Sequence, residues 1–233
     1  MMLPIVILAG GFGTRIASIA NGLPKALMPI RGEPFISHQL KLLKSAGFSE
    51  VILSLGYQSQ ALVDFVKEGT AFGLTVRYVF DGDKLRGTGG AITQALPKLP
   101  EHFFVMYGDS YLSCDYAAIQ KKYGESHCEG LMTVFYNQDQ WDTSNVEYED
   151  GRIIAYSKKN KTFKMHYIDY GLSIFSKKAF LPFVQRKIFD LSEVQEYLAS
   201  INQLTAFEVK TRFYEIGSIG GIQQLEEHFH GIY

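Results

Sequence analysis

The chain has 233 residues, with 23 Lys or Arg and 24 Asp or Glu, so its formal net charge is −1. Such a balanced charge does not indicate a nucleic-acid-binding surface. Apolar residues make up 46% of the chain, which is too much for a disordered protein and enough for a sizeable core. Apolar runs reach only about seven residues, whereas about 20 are needed to cross a bilayer, so no membrane span is expected. We predict a globular protein with a single domain, residues 1–233.

The N-terminal segment and the cysteines indicate where in the cell the protein is located. Met1–Ala9 has no basic residue and leads directly into glycines, so it is not expected to be a signal peptide. Two cysteines, Cys114 and Cys128, are too few for a metal cluster and fit a reducing environment. The sequence therefore predicts a cytoplasmic protein.

Buried strands and amphipathic helices alternate over about the first 110 residues. The expected strands are Leu3–Leu8, Glu50–Leu55, Thr75–Phe80 and Phe103–Tyr107. The expected helices are Phe35–Ala46, Gln58–Lys67 and one that starts near Gly89 and runs through Leu96. This alternation predicts βαβ units and a parallel sheet with helices on both faces.

The pattern changes in the second half of the chain. Asp150-Gly151 is a strong hairpin turn between two short alternating segments. The expected strands are Leu131–Tyr136, Val146–Glu149, Arg152–Tyr156, Ile168–Phe175 and Ala206–Val209, and the expected helices are Leu191–Ala199 and Ile219–His230. We predict a mixed, mainly parallel α/β sheet, to which the second half adds antiparallel strands over one edge.

A glycine-rich loop follows the first strand. Gly10, Gly11 and Gly13 leave backbone N–H groups open to an approaching ligand, and such a nest binds phosphate oxygens. Arg15 can bind two phosphate oxygens at once, and Lys25 adds a second positive charge ten residues later. The loop matches neither the GxGxxG dinucleotide fingerprint nor the P-loop. A simple tight turn is the alternative explanation of the glycines.

The segment LAGGFGTRIASIANGLPKALMPIRG, residues 8–32, resembles the signature of the sugar-phosphate nucleotidyltransferases. Within that family it is most similar to the short bacterial heptose-1-phosphate guanylyltransferases and their uridylyltransferase relatives, and it also resembles mannose-1-phosphate guanylyltransferase-like enzymes. RGTGGA at 86–91, Gly108-Asp109 and YEIGS at 214–218 continue the resemblance in the family's order. It implies a Rossmann-like, nucleotide-diphospho-sugar transferase-like fold, with a nucleotide-binding core at 1–113 and a sugar-binding half at 114–233.

The resemblance also implies roles for residues in the first half. Arg15, Lys25 and Asp109 are the expected catalytic residues. Gly87 is expected to lie against the base, with Gln58 or Asp81 as neighbours. The residues expected to bind the nucleotide are Leu8, Gly10, Gly11, Gly13, Thr14 and Gly87.

Two carboxylates are expected to hold Mg²⁺, which takes oxygen ligands from one or two carboxylates and from phosphates. Asp109 ends a buried strand and is expected to point into the cleft. Glu215 stands where the family usually has Asp, so it departs from the pattern. A helix N-cap is the alternative role of Asp109, and an ordinary structural role is the alternative for Glu215.

The sugar-binding half departs from the family at two motifs. SKKNK at 157–161 stands where the family commonly has Glu-Lys-Pro, and Lys159 best matches the lysine that meets the sugar phosphate. A solvated lysine-rich loop is the alternative. IDYG at 168–171 resembles the family's Asn-Ala-Gly strand, with Asp169 as an acceptor of sugar hydroxyls. Gly108, Lys159, Asp169 and Gly171 are therefore the expected sugar-phosphate-binding residues.

The resemblance implies an enzyme that transfers a nucleoside monophosphate from an NTP, with GTP favoured, to a heptose or hexose 1-phosphate and releases pyrophosphate. UTP, CTP or dTTP as donor, and a phosphocholine-type acceptor, remain alternatives. A non-catalytic nucleotide-sugar sensor is a third alternative, although Arg15, Lys25 and Asp109 are all present. The expected partners are the two substrates, with no nucleic acid and no membrane, and a homodimer is left open.

Overall fold

The computed structural model describes residues 1–11, 22–56, 59–82 and 86–231. Its strands are β1 (Ile5–Ala9), β2 (Pro29–Ile30), β3 (Glu33–Pro34), β4 (Glu50–Leu55), β5 (Thr75–Phe80), β6 (His102–Tyr107), β7 (Ser110–Tyr111), β8 (Gly130–Tyr136), β9 (Val146–Glu149), β10 (Arg152–Tyr156), β11 (Tyr167–Ser176), β12 (Leu204–Val209) and β13 (Tyr214–Glu215). Its α-helices are α1 (Phe35–Ser45), α2 (Ser59–Val66), α3 (Gly87–Ala95), α4 (Tyr116–Ser126), α5 (Leu191–Ser200) and α6 (Ile219–His230). Short 3₁₀ helices cover Lys25–Leu27, Thr70–Phe72, Leu96–Lys98 and Lys177–Phe183.

One nine-stranded sheet runs through both halves of the chain, in the order β5-β4-β1-β6-β11-β8-β12-β10-β9. The strands β5, β4, β1 and β6 are parallel to one another, as the alternating pattern predicted. β11 then pairs antiparallel to β6 and to β8, while β12 is parallel to β8. The fold class predicted from the sequence is confirmed. The added strands extend the same sheet beyond β6.

Helices cover both faces of the sheet because the central strands are apolar on both sides. Ile5 and Ile7 of β1 pack on one face and Val6 on the other, and all three are fully buried. Buried residues of α1, α2 and α4 join the first core, and those of α3, α5 and the 177–183 segment join the second. Within the described residues, no helix is both long and apolar enough to cross a bilayer.

Helix α4 was not predicted from the sequence. Its buried residues, Tyr116, Ile119 and Tyr123, form a narrow stripe among lysines, which weakens the helical pattern. Asp115 marks its start, because its carboxylate accepts a hydrogen bond from the N–H of Ala118 at 2.9 Å. Asp115 was therefore the residue in the sequence that could have indicated the start of this helix.

Candidate active site

Parallel strands bring their carboxyl ends to one edge of the sheet, where α/β proteins bind ligands. Leu8, Gly10 and Gly11 lie at the end of β1, and Asp81 and Asp109 follow β5 and β6 closely. The predicted phosphate-binding residues Gly13, Thr14 and Arg15, and the predicted base neighbour Gln58, lie outside the described residues. Their roles stay predictions.

Lys25 and Asp109 meet at this edge although 84 residues separate them. The Lys25 Nζ donates to Asp109 Oδ2 at 2.7 Å, and the two side chains are 16% and 31% exposed. The main-chain oxygen of Asp109 accepts a hydrogen bond from the N–H of Ile216, so the chain just before α6 also lies here. The structure thus joins a cation and a carboxylate that the sequence analysis placed in one site.

Gly108 has a packing role. Its N–H donates to the carbonyl of Leu8 at 3.0 Å. A Cβ added at Gly108 would lie 2.6 Å from that carbonyl oxygen, closer than any side chain tolerates. Glycine is therefore required for the end of β6 to approach the end of β1. Its predicted contact with a sugar phosphate remains a prediction.

The glycines that begin α3 make room for another part of the chain. Gly87 has φ +69°, and a Cβ there would lie 2.5 Å from the carbonyl oxygen of Phe189. The N–H groups of Gly89 and Gly90 donate to the same carbonyl, at 3.0 and 3.3 Å. The segment before α5 therefore rests directly on the start of α3. The motif is explained by this close approach as well as by its predicted place beside a base.

A cavity of about 110 Å³ opens between β1 and α3. It is lined by Gly10, Gly11, Ser54, Asp81, Gly87 and Ala91, among others. Apart from Leu8, its walls are backbone and small side chains, and Asp81 is the charged residue among those that line it. Leu8, Gly10, Gly11 and Gly87, all predicted to bind the nucleotide, share this one cavity.

A second cluster surrounds Asp169, in the half of the chain predicted to bind sugar. The pairing of β11 with β8 is interrupted between Asp169 and Ser173, and Gly171 inside this irregularity has φ +96°. Asp169 Oδ1 accepts from the N–H of Gly171 at 3.0 Å, and Oδ2 accepts from Gln195 Nε2 at 3.3 Å. The Tyr156 hydroxyl lies 3.5 Å from Oδ2. Removal from water raises the pKa of the Asp169 carboxyl above its usual value, although these hydrogen bonds oppose the shift.

Lys158 joins this cluster to the end of β6. Its Nζ lies 3.1 Å from Asp190 Oδ1 and 5.6 Å from the centre of the Tyr107 ring. Burial acts to raise the pKa of Asp190, but Lys158 and the hydrogen bonds from Ser192 outweigh it and lower that pKa. The buried hydroxyl of Tyr107 has no hydrogen-bond partner within the part of the chain that the structure describes.

The structure therefore draws attention to Lys158 beside the predicted Lys159. The N–H of Lys159 donates to Ser157 Oγ at 3.2 Å. The hydrogen bond from Arg186 lowers the pKa of the Glu193 carboxyl on α5, and the positive charge of Lys159 adds to that shift. The sequence analysis gave no site role to Tyr156, Lys158 or Gln195. Gln195 carried a signal, because it is a polar residue on the apolar face of a predicted helix and is 1% exposed.

Glu215 lies next to Asp109 through the pairing of β13 with β7, in which Glu215 is opposite Ser110. Its carboxylate accepts hydrogen bonds from the N–H of Gly217 and, at 2.7 Å, from the hydroxyl of Ser218. Ser218 is itself the N-cap of α6. The carboxylate is thus turned toward the start of α6, which a negative charge stabilises. Its predicted metal role remains a prediction.

The fold and this edge of the sheet define an α/β protein with a ligand-binding cleft at the carboxyl ends of its parallel strands. The chain belongs to the nucleotidyl transferase family, whose model matches residues 5–224.

Two of the relatives are each 30% identical to the chain over the aligned residues. One is the D-glycero-alpha-D-manno-heptose 1-phosphate guanylyltransferase of Campylobacter jejuni, matched over 189 residues that cover 81% of this chain and 82% of the relative. The other is mannose-1-phosphate guanyltransferase beta-B of Xenopus laevis, matched over 224 residues. That match covers 91% of this chain and 60% of the frog protein. The resemblance inferred from the sequence is confirmed.

Solved structures agree on the fold. The crystal structure of HddC from Yersinia pseudotuberculosis is 26% identical, with a TM-score of 0.83, and the match covers 98% of this chain and 100% of HddC. A second HddC structure, complexed with GMP-PN, has a TM-score of 0.80. A putative glucose-1-phosphate thymidylyltransferase from Bacillus anthracis is 21% identical, has a TM-score of 0.86 and shares the fold.

Proposed function

We propose that the protein is a sugar-1-phosphate nucleotidyltransferase that uses GTP and a heptose or hexose 1-phosphate. The observation that carries this proposal is the meeting of Lys25 and Asp109 at the carboxyl edge of the sheet, between a glycine-lined cavity and the Asp169 cluster. A nucleotide and a sugar phosphate can then approach the pair from opposite sides. The guanylyltransferase names of the two relatives support the same substrates.

The nucleotide-binding half, residues 1–113, supplies charge and position. The backbone N–H groups of the glycine loop and the cations Arg15 and Lys25 bind the triphosphate. A phosphate oxygen of the sugar 1-phosphate attacks the α-phosphorus and forms a new P–O bond. The bond between the α-phosphorus and its bridging oxygen breaks, and pyrophosphate leaves with the electron pair. Lys25 stabilises the negative charge on the leaving group, so the protein needs no covalent nucleophile.

The sugar-binding half, residues 114–233, orients the acceptor. Asp169 is held by Gly171 and Gln195, so its carboxylate is already positioned to accept hydrogen bonds from sugar hydroxyls. Lys158 or Lys159 then neutralises the sugar phosphate. Preorganised groups of this kind lower the cost of aligning the attacking oxygen.

Asp109 fits one position of a magnesium site. It is a partly exposed carboxylate beside the predicted phosphates, and Mg²⁺ binds through one or two carboxylates plus phosphate oxygens. Each oxygen of Glu215 already accepts a hydrogen bond at α6, so as the second ligand it would bind the ion through a remaining lone pair. Bound Mg²⁺ would screen the charge of the phosphates during transfer.

A cytoplasmic location is part of the proposal. Cys114 and Cys128 are both free thiols, as expected of a reducing compartment. A homodimer stays a prediction.

The test is release of pyrophosphate from each of the four NTPs, measured against a panel of hexose and heptose 1-phosphates. We expect release that depends on both substrates, with a nucleotide sugar as the second product. Phosphocholine serves as the acceptor control. Nucleotide binding without any product across the whole panel would contradict the proposal and favour the non-catalytic sensor.

A further inference from the structure

Helix α5 and the segment that precedes it carry an apolar surface that the reaction outlined above does not use. Five large apolar side chains are exposed there, and we call this set the α5 surface: Leu181, Val184, Ile188, Tyr197 and Ile201. Their exposed fractions range from 36% for Tyr197 to 63% for Ile188. Monomeric proteins rarely expose large apolar side chains side by side, so the α5 surface indicates a protein partner.

Aromatic packing joins the two parts of the α5 surface. The ring of Tyr197 meets the ring of Phe183 edge to face, with their centres 5.7 Å apart, and Phe183 stacks on Phe189 at 5.3 Å. Phe183 and Phe189 are buried, and Val184 follows the first while Ile188 precedes the second. The two other members of the surface lie one turn from Val184 and Tyr197, on the same side. The five exposed side chains therefore surround one buried aromatic pair.

The two halves of the α5 surface carry charges of opposite sign. The segment half has no acidic residue between positions 177 and 188 and has four basic ones, Lys177, Lys178, Arg186 and Lys187. The helix half contributes Glu193 and Glu196, and no Lys or Arg occurs between positions 188 and 209. Arg186 pairs with Glu193 at 2.7 Å where the halves meet. The surface is therefore apolar in the middle, basic on one side and acidic on the other.

A surface with this division of charge is complementary to itself. When two copies meet around a two-fold axis that runs along the boundary between the halves, each half faces the opposite half of the second copy. The basic segment of each copy then lies against the acidic helix of the other. The apolar side chains meet in the centre and the charges form the rim, as in stable interfaces.

We propose that the α5 surface is the interface of a homodimer, in which the segment 177–188 of each copy packs against α5 of the other. The interface uses the exposed side of α5. The buried side of the same helix carries Gln195, which donates to Asp169. Substitutions on the exposed side can therefore test the interface without removing a residue of the candidate active site.

Sedimentation equilibrium of the full chain tests the proposal. We expect wild-type protein to pass from monomer to dimer as its concentration rises to about 100 μM. Tyr197→Asp places a charge in the apolar centre, so the Kd of the dimer should rise about 10- to 100-fold. Wild-type protein that stays monomeric throughout this range would overturn the proposal.

Phe65→Asp is the matched control, because Phe65 is an aromatic residue that is 41% exposed on α2. The buried residues of α2 pack on the opposite face of the sheet from those of α5, so the Kd of the dimer should not change. Ile188→Asp lies outside the helix and should weaken the dimer even if Tyr197→Asp does not fold, which thermal unfolding checks. An unchanged Kd for Ile188→Asp, or an equal loss for Phe65→Asp, would contradict the interface.

A charge exchange tests the two-fold arrangement. Glu196→Lys sets like charges against the basic segment, and the double variant Lys178→Glu, Lys187→Glu sets like charges against α5, so each protein should dimerise more weakly than wild type. An equimolar mixture restores opposite charges on both sides of the axis. We expect the mixed dimer to be about tenfold tighter than either variant alone. A mixture that associates no better than its components would overturn the proposal.

Discussion

Lys25→Ala separates the catalytic role of the Lys25–Asp109 pair from its structural role. The substitution removes an Nζ that lies 2.7 Å from Asp109 Oδ2, in a pair that keeps partial contact with solvent. Water screens such a pair, so we expect a loss of only about 0.2–1 kcal/mol in the free energy of unfolding. The melting temperature should then fall by no more than about 4 °C.

The effect on turnover should be far larger. If Lys25 stabilises the charge that develops on pyrophosphate, its removal takes away a preorganised group worth about 2.7–4 kcal/mol in the transition state. We expect kcat to fall about 10²- to 10³-fold, measured by pyrophosphate release at saturating concentrations of both substrates. The two magnitudes differ enough that instability alone cannot account for the loss.

Lys41→Ala is the matched control for this experiment. Lys41 forms an ion pair with Glu33 at 2.5 Å, and the two side chains are 58% and 47% exposed. It should leave turnover unchanged. The role assigned to Lys25 would be refuted if the Lys25→Ala protein kept its turnover within about threefold of wild type. Such a change corresponds to less than about 1 kcal/mol in the activation barrier.

Gly87→Ala should destabilise the fold by about 2 kcal/mol or more, because its Cβ would meet the Phe189 carbonyl at 2.5 Å, and chemical denaturation measures this loss. Gly124→Ala, inside α4 with nothing within 4 Å of the new Cβ, should instead stabilise it by about 0.5–1 kcal/mol. The pKa of the Asp169 carboxyl is raised in the folded protein above its ordinary value of 3.8. The protonated carboxyl therefore stabilises the fold fully below pH 3.8, and this stabilisation is lost as the pH rises through the folded-state pKa. The Asp169→Asn protein should therefore become more stable relative to wild type as the pH rises. Urea unfolding at several pH values measures this, and a constant difference between the two free energies of unfolding would contradict it. Glu215→Gln should raise the Mg²⁺ concentration for half-maximal activity about tenfold if Glu215 is a ligand, whereas a lower melting temperature with an unchanged Mg²⁺ response would limit it to supporting α6.

Local patterns predicted most of the sheet. The bounds of β4 and β5 and of the hairpin strands β9 and β10 agree with the sequence predictions residue for residue, because strand burial and turn chemistry are local properties. Helix α4 was missed because only three of its residues face the core. The pairing of β13 with β7 was also missed, since the two strands are about 100 residues apart and no local pattern indicates which strands pair.

The amino-acid sequence alone indicated the family and the alternation of strands and helices along most of the chain, and it predicted site residues within one contiguous motif. These features depend on neighbours within about one turn of helix or one strand, which the sequence displays directly. The tertiary structure decided which distant residues meet: Lys25 with Asp109, Gln195 with Asp169, and Lys158 with Asp190. It also decided that Asp81 Oδ1 is buried without a hydrogen-bond partner among the described residues. Such contacts arise from the packing of strands and helices far apart in the chain, and no local pattern records them.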